Sequence, residues 1–124
     1  MPESVVGLGI DVVALERVAK DHERLAERIL GSAELVLYAA STRPAEFLAG
    51  RFAAKEAVLK ALGTGLSEGI SWKEVEILRS PEGAPVAALR GKAADRLHAL
   101  GASRALVSIS HDAGLAVAVA QVAR

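Results

Sequence analysis

The chain has 124 residues, enough for one domain with a modest core, and is 52% hydrophobic but only 3% aromatic. Lys plus Arg and Asp plus Glu number 15 each, a zero balance that argues against a nucleic-acid protein; the lack of cysteine excludes disulfides, thiolate zinc sites and a cysteine nucleophile. No apolar run approaches the roughly 20 residues of a membrane span, and the N-terminus lacks a signal-peptide pattern, so a soluble cytoplasmic protein is expected, with neither membrane nor nucleic acid as partner.

Residues 5–13 are β-branched and punctuated by glycine, which predicts a first strand. It is apolar on both faces and expected to be buried, with Asp11 interrupting it. Residues 15–30 turn helical, with Gly31 beyond their end. Ser32 fits the N-cap of a helix over 33–40. Ser41 to Pro44 is a break, with Pro44 in the first turn of the next helix. That helix, Pro44–Leu62, is the longest element. Gly50 is its weak position, costing about 1 kcal/mol relative to Ala, and Gly63-Thr64-Gly65 ends it.

Residues 73–79 alternate as a strand, Ser80 to Gly83 turn, and Pro85–Leu89 returns, which predicts a hairpin. Residues 92–100 form a short helix closed by Gly101. Residues 104–110 and 115–122 are two further strands around His111-Asp112-Ala113-Gly114. The order predicts a single α+β domain over residues 1–124, a mostly antiparallel sheet packed against helices. An aliphatic core of this size also hints at further burial between subunits.

Three segments carry chemistry: Gly9-Ile10-Asp11, the run from Arg51 to Ala61, and Ser108-Ile109-Ser110-His111-Asp112. A carboxylate inside an apolar strand needs a cation or several hydrogen bonds. Asp11 therefore either caps the next helix, pairs with Arg17, or holds a metal. On the long helix, with Phe52 taken as the centre of the apolar face, Glu56 and Lys60 fall at its margin. Their four-residue spacing reads either as an ion pair along the helix or as a metal ligand beside a phosphate-holding lysine. Lys55 falls on the apolar side, where its stem snorkels outward or a buried partner meets it. His111, at a strand end, is either structural or a donor to phosphate. Two carboxylates are what Mg²⁺ takes from a protein, waters and phosphates completing six oxygens.

These segments, with Phe47 to Ala57 in the middle, resemble the signature set of the holo-acyl-carrier-protein synthase family, in order and over essentially the whole chain. The resemblance implies a 4'-phosphopantetheinyl transferase fold that forms trimers with active sites between subunits. It implies Asp11 and Glu56 as magnesium ligands and Lys60 as a phosphate-binding lysine, Glu56 and Lys60 being the catalytic pair. Arg43, Arg51 and His111 match positions that hold the nucleotide end of coenzyme A. Gly63 and Gly65 fall where the family's loop touches the pyrophosphate. The family binds an acidic acyl-carrier protein through basic residues near its N-terminus. Here Arg17, Lys20, Arg24 and Arg28 would form one stripe on a continuous helix, with Glu16, Asp21, Glu23 and Glu27 interleaved; a solvated mixed-charge face is the alternative.

The implied reaction moves the phosphopantetheine arm of coenzyme A onto a carrier serine and releases adenosine 3',5'-bisphosphate. Three rivals stand beside it. One is a non-catalytic module that binds coenzyme A or a carrier. Another is a different magnesium phosphohydrolase, disfavoured because Gly7 and Gly9 complete no phosphate-loop pattern. The third is a purely structural subunit, which explains Asp11 least well.

Overall fold

The computed structural model describes residues 4–124, so the first three residues of the expected 1–124 domain lie outside the described residues. In chain order the elements are β1 (Val5–Ala14), α1 (Leu15–Ala19), α2 (His22–Ile29), α3 (Ser32–Ala40), α4 (Pro44–Leu62), β2 (Val75–Arg79), β3 (Pro85–Leu89), α5 (Gly91–Ala99), β4 (Arg104–Asp112) and β5 (Leu115–Ala123). Two single 3₁₀ turns, Ser67–Gly69 and Trp72–Glu74, lie between α4 and β2. The architecture is the expected α+β one: an antiparallel three-stranded sheet of order β1-β5-β4 and a separate β2-β3 hairpin, with helices packed on them.

Helix α4 is the centre of the molecule. Pro44 opens it, and Gly63, at φ 80°, closes it by donating its amide to the carbonyls of Leu59 and Lys60. Thirteen of its nineteen residues are buried, so it is a core helix and not an amphipathic surface one. From residue 47 onward only Phe52, Glu56 and Lys60 reach solvent. Their spacing of four places them in one row. Phe52, expected at the centre of the buried face, instead heads this solvent-touching row, because α4 is enclosed on every other side.

The strands alternate between an inner face toward α4 and an outer face. Gly7, Gly9, Asp11 and Val13 lie on the inner face of β1, in register with Val122, Ala120, Ala118 and Ala116 of β5. The outer face carries Leu8, Ile10 and Val12, which are 69%, 58% and 52% exposed, with Leu106 and Val119 beside them. The expectation that β1 is buried on both faces is thus corrected: the sheet is covered by α4 on one side only.

Other differences have local causes. The helical stretch expected over 15–30 breaks at Lys20 and Asp21. Asp21 leaves the helical region (φ −145°, ψ 49°) and its carbonyl accepts the first bond of α2, from the Leu25 amide. Aspartate favours such N-cap positions. Gly31, not Ser32, precedes α3, because the Glu34 carboxylate accepts the Gly31 amide at 2.9 Å. The strand expected from residue 73 begins at Val75, after the Trp72–Glu74 turn.

Candidate active site

Asp11 and Glu56 are 45 residues apart in sequence, and β1 lies along α4 so that the charge of Asp11 acts on Glu56. The Asp11 side chain is only 17% exposed and takes a hydrogen bond from Lys60, whose Nζ lies 3.0 Å from Oδ1. The same ammonium donates to the Ile10 carbonyl at 3.0 Å. Lys60 thus pairs across to β1 and not along the helix with Glu56. Asp11 neither caps α1 nor pairs with Arg17. Burial, and secondly the charge of Asp11, push the Glu56 carboxyl above the ordinary value of 4.5, while Lys60 and Arg17 pull the other way. A carboxylate whose ionisation is opposed by burial and by a neighbouring negative charge is stabilised by a nearby cation.

Among the described residues no three His, Asp or Glu side chains gather into a metal-holding group. A two-carboxylate set of hard oxygens fits Mg²⁺, which keeps waters and takes substrate phosphates as its remaining ligands. It does not fit zinc, which wants more nitrogen or sulfur donors.

A groove of about 490 Å³ opens beside Glu56. Arg17, Lys20, Arg24 and Arg28 all line it, although α1 and α2 are separate helices. Its apolar part includes Phe52 and Trp72, whose rings lie 5.4 Å apart, and the Arg17 guanidinium sits 6.0 Å from the centre of the Phe52 ring. Of the interleaved acids only Asp21 lines the groove, tied loosely to Arg24 at 3.7 Å. The break between the two helices turns the basic side chains into one concave wall.

The remaining residues lie elsewhere. His111 sits in the row Val13-Ala116-His111 on the inner face of the sheet, but on the far edge strand from Asp11, about 10 Å across two strand spacings. Its Nε2 is 3.1 Å from the Glu46 carbonyl. Gly50 admits the ring: a Cβ there would stand 2.7 Å from that nitrogen. Arg43 pairs with Glu46 at 3.7 Å, so Arg43 and His111 flank the N-terminal turns of α4. Ten residues of helix, about 15 Å, separate Glu46 from Glu56. Gly63 caps the other end of the helix, and Gly65, at φ 58°, stands in open space.

Arg51 points a third way. It is buried, donates Nε to the Ile77 carbonyl at 3.2 Å and a terminal nitrogen to that of Leu78 at 3.4 Å, and lies 4.4 Å over the Phe47 ring. Burial, then the charge of Arg79, bring it down to about 10, against the pull of Glu34. Two of its five N–H donors are thus committed to β2.

Two features escaped the sequence reading. One is the partner of Lys55: its Nζ, fully buried, bonds Glu34 at 2.8 Å and the carbonyls of Trp72 and Val75, and Glu34 also accepts from the Gly31 and Ile77 amides. Lysine on an apolar helix side left a snorkelling stem or a buried partner as alternatives; the second holds, and nothing in the sequence pointed to Glu34. The other is Gly9, which meets the α4 backbone directly. Glycine inside a β-branched strand is the signal for such an approach.

The family model described as the 4'-phosphopantetheinyl transferase superfamily matches residues 7–120, and the chain belongs to that superfamily. More narrowly, it is 49% identical over 119 residues to the holo-[acyl-carrier-protein] synthase of Nitratidesulfovibrio vulgaris (strain DP4), covering 93% of this chain and 95% of the relative. Against that of Shewanella woodyi the identity is 42% over 125 residues, covering 92% and 95%. Among solved structures, the holo-[acyl-carrier-protein] synthase of Neisseria meningitidis superposes with a TM-score of 0.85 at 33% identity, over 97% of this chain and 98% of that one. The Helicobacter pylori enzyme, solved in complex with coenzyme A, gives 0.78 at 35% identity, over 93% and 98%.

Proposed function

We propose that this chain, as one domain over residues 1–124, transfers the 4'-phosphopantetheine of coenzyme A to a serine of apo-acyl-carrier protein, giving the holo form and adenosine 3',5'-bisphosphate. The observation that carries it is the meeting of Asp11, Glu56 and Lys60 at one crossing, in a chain whose relatives are holo-[acyl-carrier-protein] synthases. The carrier hydroxyl attacks the pantetheine-side phosphorus and the bisphosphate leaves. Catalysis of such a transfer is chiefly positioning and charge stabilisation. Asp11 and Glu56 would hold Mg²⁺, which when bound supplies positive charge at the pyrophosphate oxygens. Lys60 adds a compact charge reaching the same place.

The basic wall of the groove recruits the acidic carrier, and its apolar floor of Phe52 and Trp72 receives an apolar side chain of that partner. Arg43, His111 and Arg51 serve the nucleotide end of coenzyme A, and Gly63 to Gly65 the pyrophosphate. Arg43 and His111 flank the N-terminal turns of α4, about 15 Å along the helix from Glu56. A site composed between two copies unites the two groups, which supports the trimer with active sites between subunits. The exposed apolar face of Leu8, Ile10, Val12 and Val119 supplies the surface such an assembly buries. The cytoplasm, where carrier and coenzyme A meet, is the compartment this reaction implies.

Mass spectrometry of apo-carrier incubated with coenzyme A, with and without Mg²⁺, tests the proposal. The carrier gains one phosphopantetheine only with the metal. Asp11→Ala and Glu56→Ala give none while keeping the native circular dichroism. Full turnover in either variant removes the metal assignment.

A further inference from the structure

Strand β1 and helix α4 touch backbone to backbone. A Cβ built on Gly9 would stand 2.0 Å from the Ala57 carbonyl oxygen and 2.8 Å from the Ala61 nitrogen. One built on Gly7 would stand 2.2 Å from the Ala61 carbonyl oxygen. Two residues of strand advance about 6.6 Å and one turn of helix about 5.4 Å, so the two elements run nearly in step. Gly7 lies beside Ala61 and Gly9 beside Ala57. Asp11, next on the same face, falls one turn further toward the helix N-terminus, level with residues 53–56. The depth at which Gly9 seats β1 therefore fixes how far the Asp11 carboxylate stands from that of Glu56.

We propose that Gly9 is a positioning residue that sets the distance between Asp11 and Glu56, and with it the size of the cation the pair accepts. The inference rests on the metal reading given above. Non-bonded carbons sit about 3.5–4.0 Å apart, so even alanine at position 9 parts strand from helix by at least about 1 Å. Mg²⁺ demands near-ideal geometry at about 2.0–2.1 Å, whereas Ca²⁺ tolerates about 2.3–2.6 Å and irregular coordination. Parting the carboxylates thus penalises the smaller ion more. Gly7 differs in two respects. It lies four residues from Asp11, and it adjoins the register shift between Val5 and Gly7, where the strand yields locally.

Calorimetric titration of the full chain with Mg²⁺ and with Ca²⁺ tests this. Gly9→Ala lowers Mg²⁺ affinity at least tenfold and Ca²⁺ affinity less than threefold, while Gly7→Ala changes neither by more than threefold. No loss in Gly9→Ala, an equal loss of both ions, or an equal effect from Gly7→Ala overturns the inference and leaves the metal site standing. Wild-type protein that binds Mg²⁺ no better than Asp11→Asn overturns the metal site and the inference together. Where Gly9→Ala yields no folded protein, side-chain reach tests the same distance with the backbone contact intact. Asp11→Glu and Glu56→Asp each change the reach by one carbon–carbon bond, about 1.5 Å. Each alone loses Mg²⁺ affinity at least tenfold, and together, with the summed reach restored, they return it to within threefold of wild type. Single variants that bind as the wild type does, or a double variant that recovers nothing, overturn the inference.

Discussion

Glu56 is held in an environment that resists its own charge. Burial and the neighbouring Asp11 keep its carboxyl above 4.5, so the native state holds this proton more tightly than the unfolded chain does. Where a native carboxyl is raised, its favourable contribution is complete below the unfolded value and is lost as pH climbs through the native one. Glu56→Gln therefore raises the melting temperature at neutral pH, and the gain shrinks to nothing as pH falls toward 4.5. Thermal melts across that range check the sign; a gain independent of pH would remove the electrostatic explanation. Sites built for cations carry this kind of strain when considered as protein alone. At this scale the sequence singled out Glu56 and Lys60 through their four-residue spacing on α4, and Asp11 through the rule that charge in an apolar setting needs a partner. The same rule flagged Lys55 but could not choose Glu34, because a partner on another element is a property of the fold.

At the scale of elements, the first two helices show how a break shapes a groove. A continuous helix would have spread Arg17, Lys20, Arg24 and Arg28 along one convex stripe. The turn at Asp21 bends them around a groove that ends at Glu56. Arg24→Glu therefore raises the KM for carrier protein by about tenfold, on the order of 1.4 kcal/mol, and leaves the KM for coenzyme A within about twofold. The effect weakens with added salt, since exposed charges are screened over roughly 10 Å at 0.1 M. Steady-state kinetics with each substrate varied in turn measure both; equal changes would count against the basic wall. Helix α4 was readable end to end because Pro44 and Gly63 mark its limits chemically. The break before α2 was not, since residues 15–30 keep a helical pattern and Asp21, whose departure from the helical region starts α2, is one acidic residue among several there. The direction of Arg51 was likewise hidden: helix geometry gives an angle about the axis, while the carbonyls of Ile77 and Leu78 decide what lies there.

At the scale of the whole molecule, the proposed assembly of several copies can be tested at the apolar outer sheet face and at the divided set of candidate residues. Val119→Glu, in register with Ile10 on the outer face of the sheet while Asp11 lies on the inner one, lowers the mass seen by light scattering toward that of one chain. Co-produced Asp11→Ala and His111→Ala chains recover transfer that neither variant shows alone, because some interfaces then bring together one intact half from each. No recovery would place the complete site within a single chain. The outer face also marks where sequence reading stopped. An apolar run with no alternation reads as buried on both sides, whereas helix α4 covers only the inner one.

The sheet order β1-β5-β4 has a consequence for synthesis. The strand that carries Asp11 pairs only with β5, the last of the described strands to leave the ribosome. Until then β1 is an unpaired apolar segment, and the closure that seats it spans nearly the whole chain, a topology that slows folding. Seating of the strand that brings Asp11 to Glu56 therefore waits for the end of translation, and a nascent chain cut short before residue 115 lacks the only strand that β1 pairs with among the described residues.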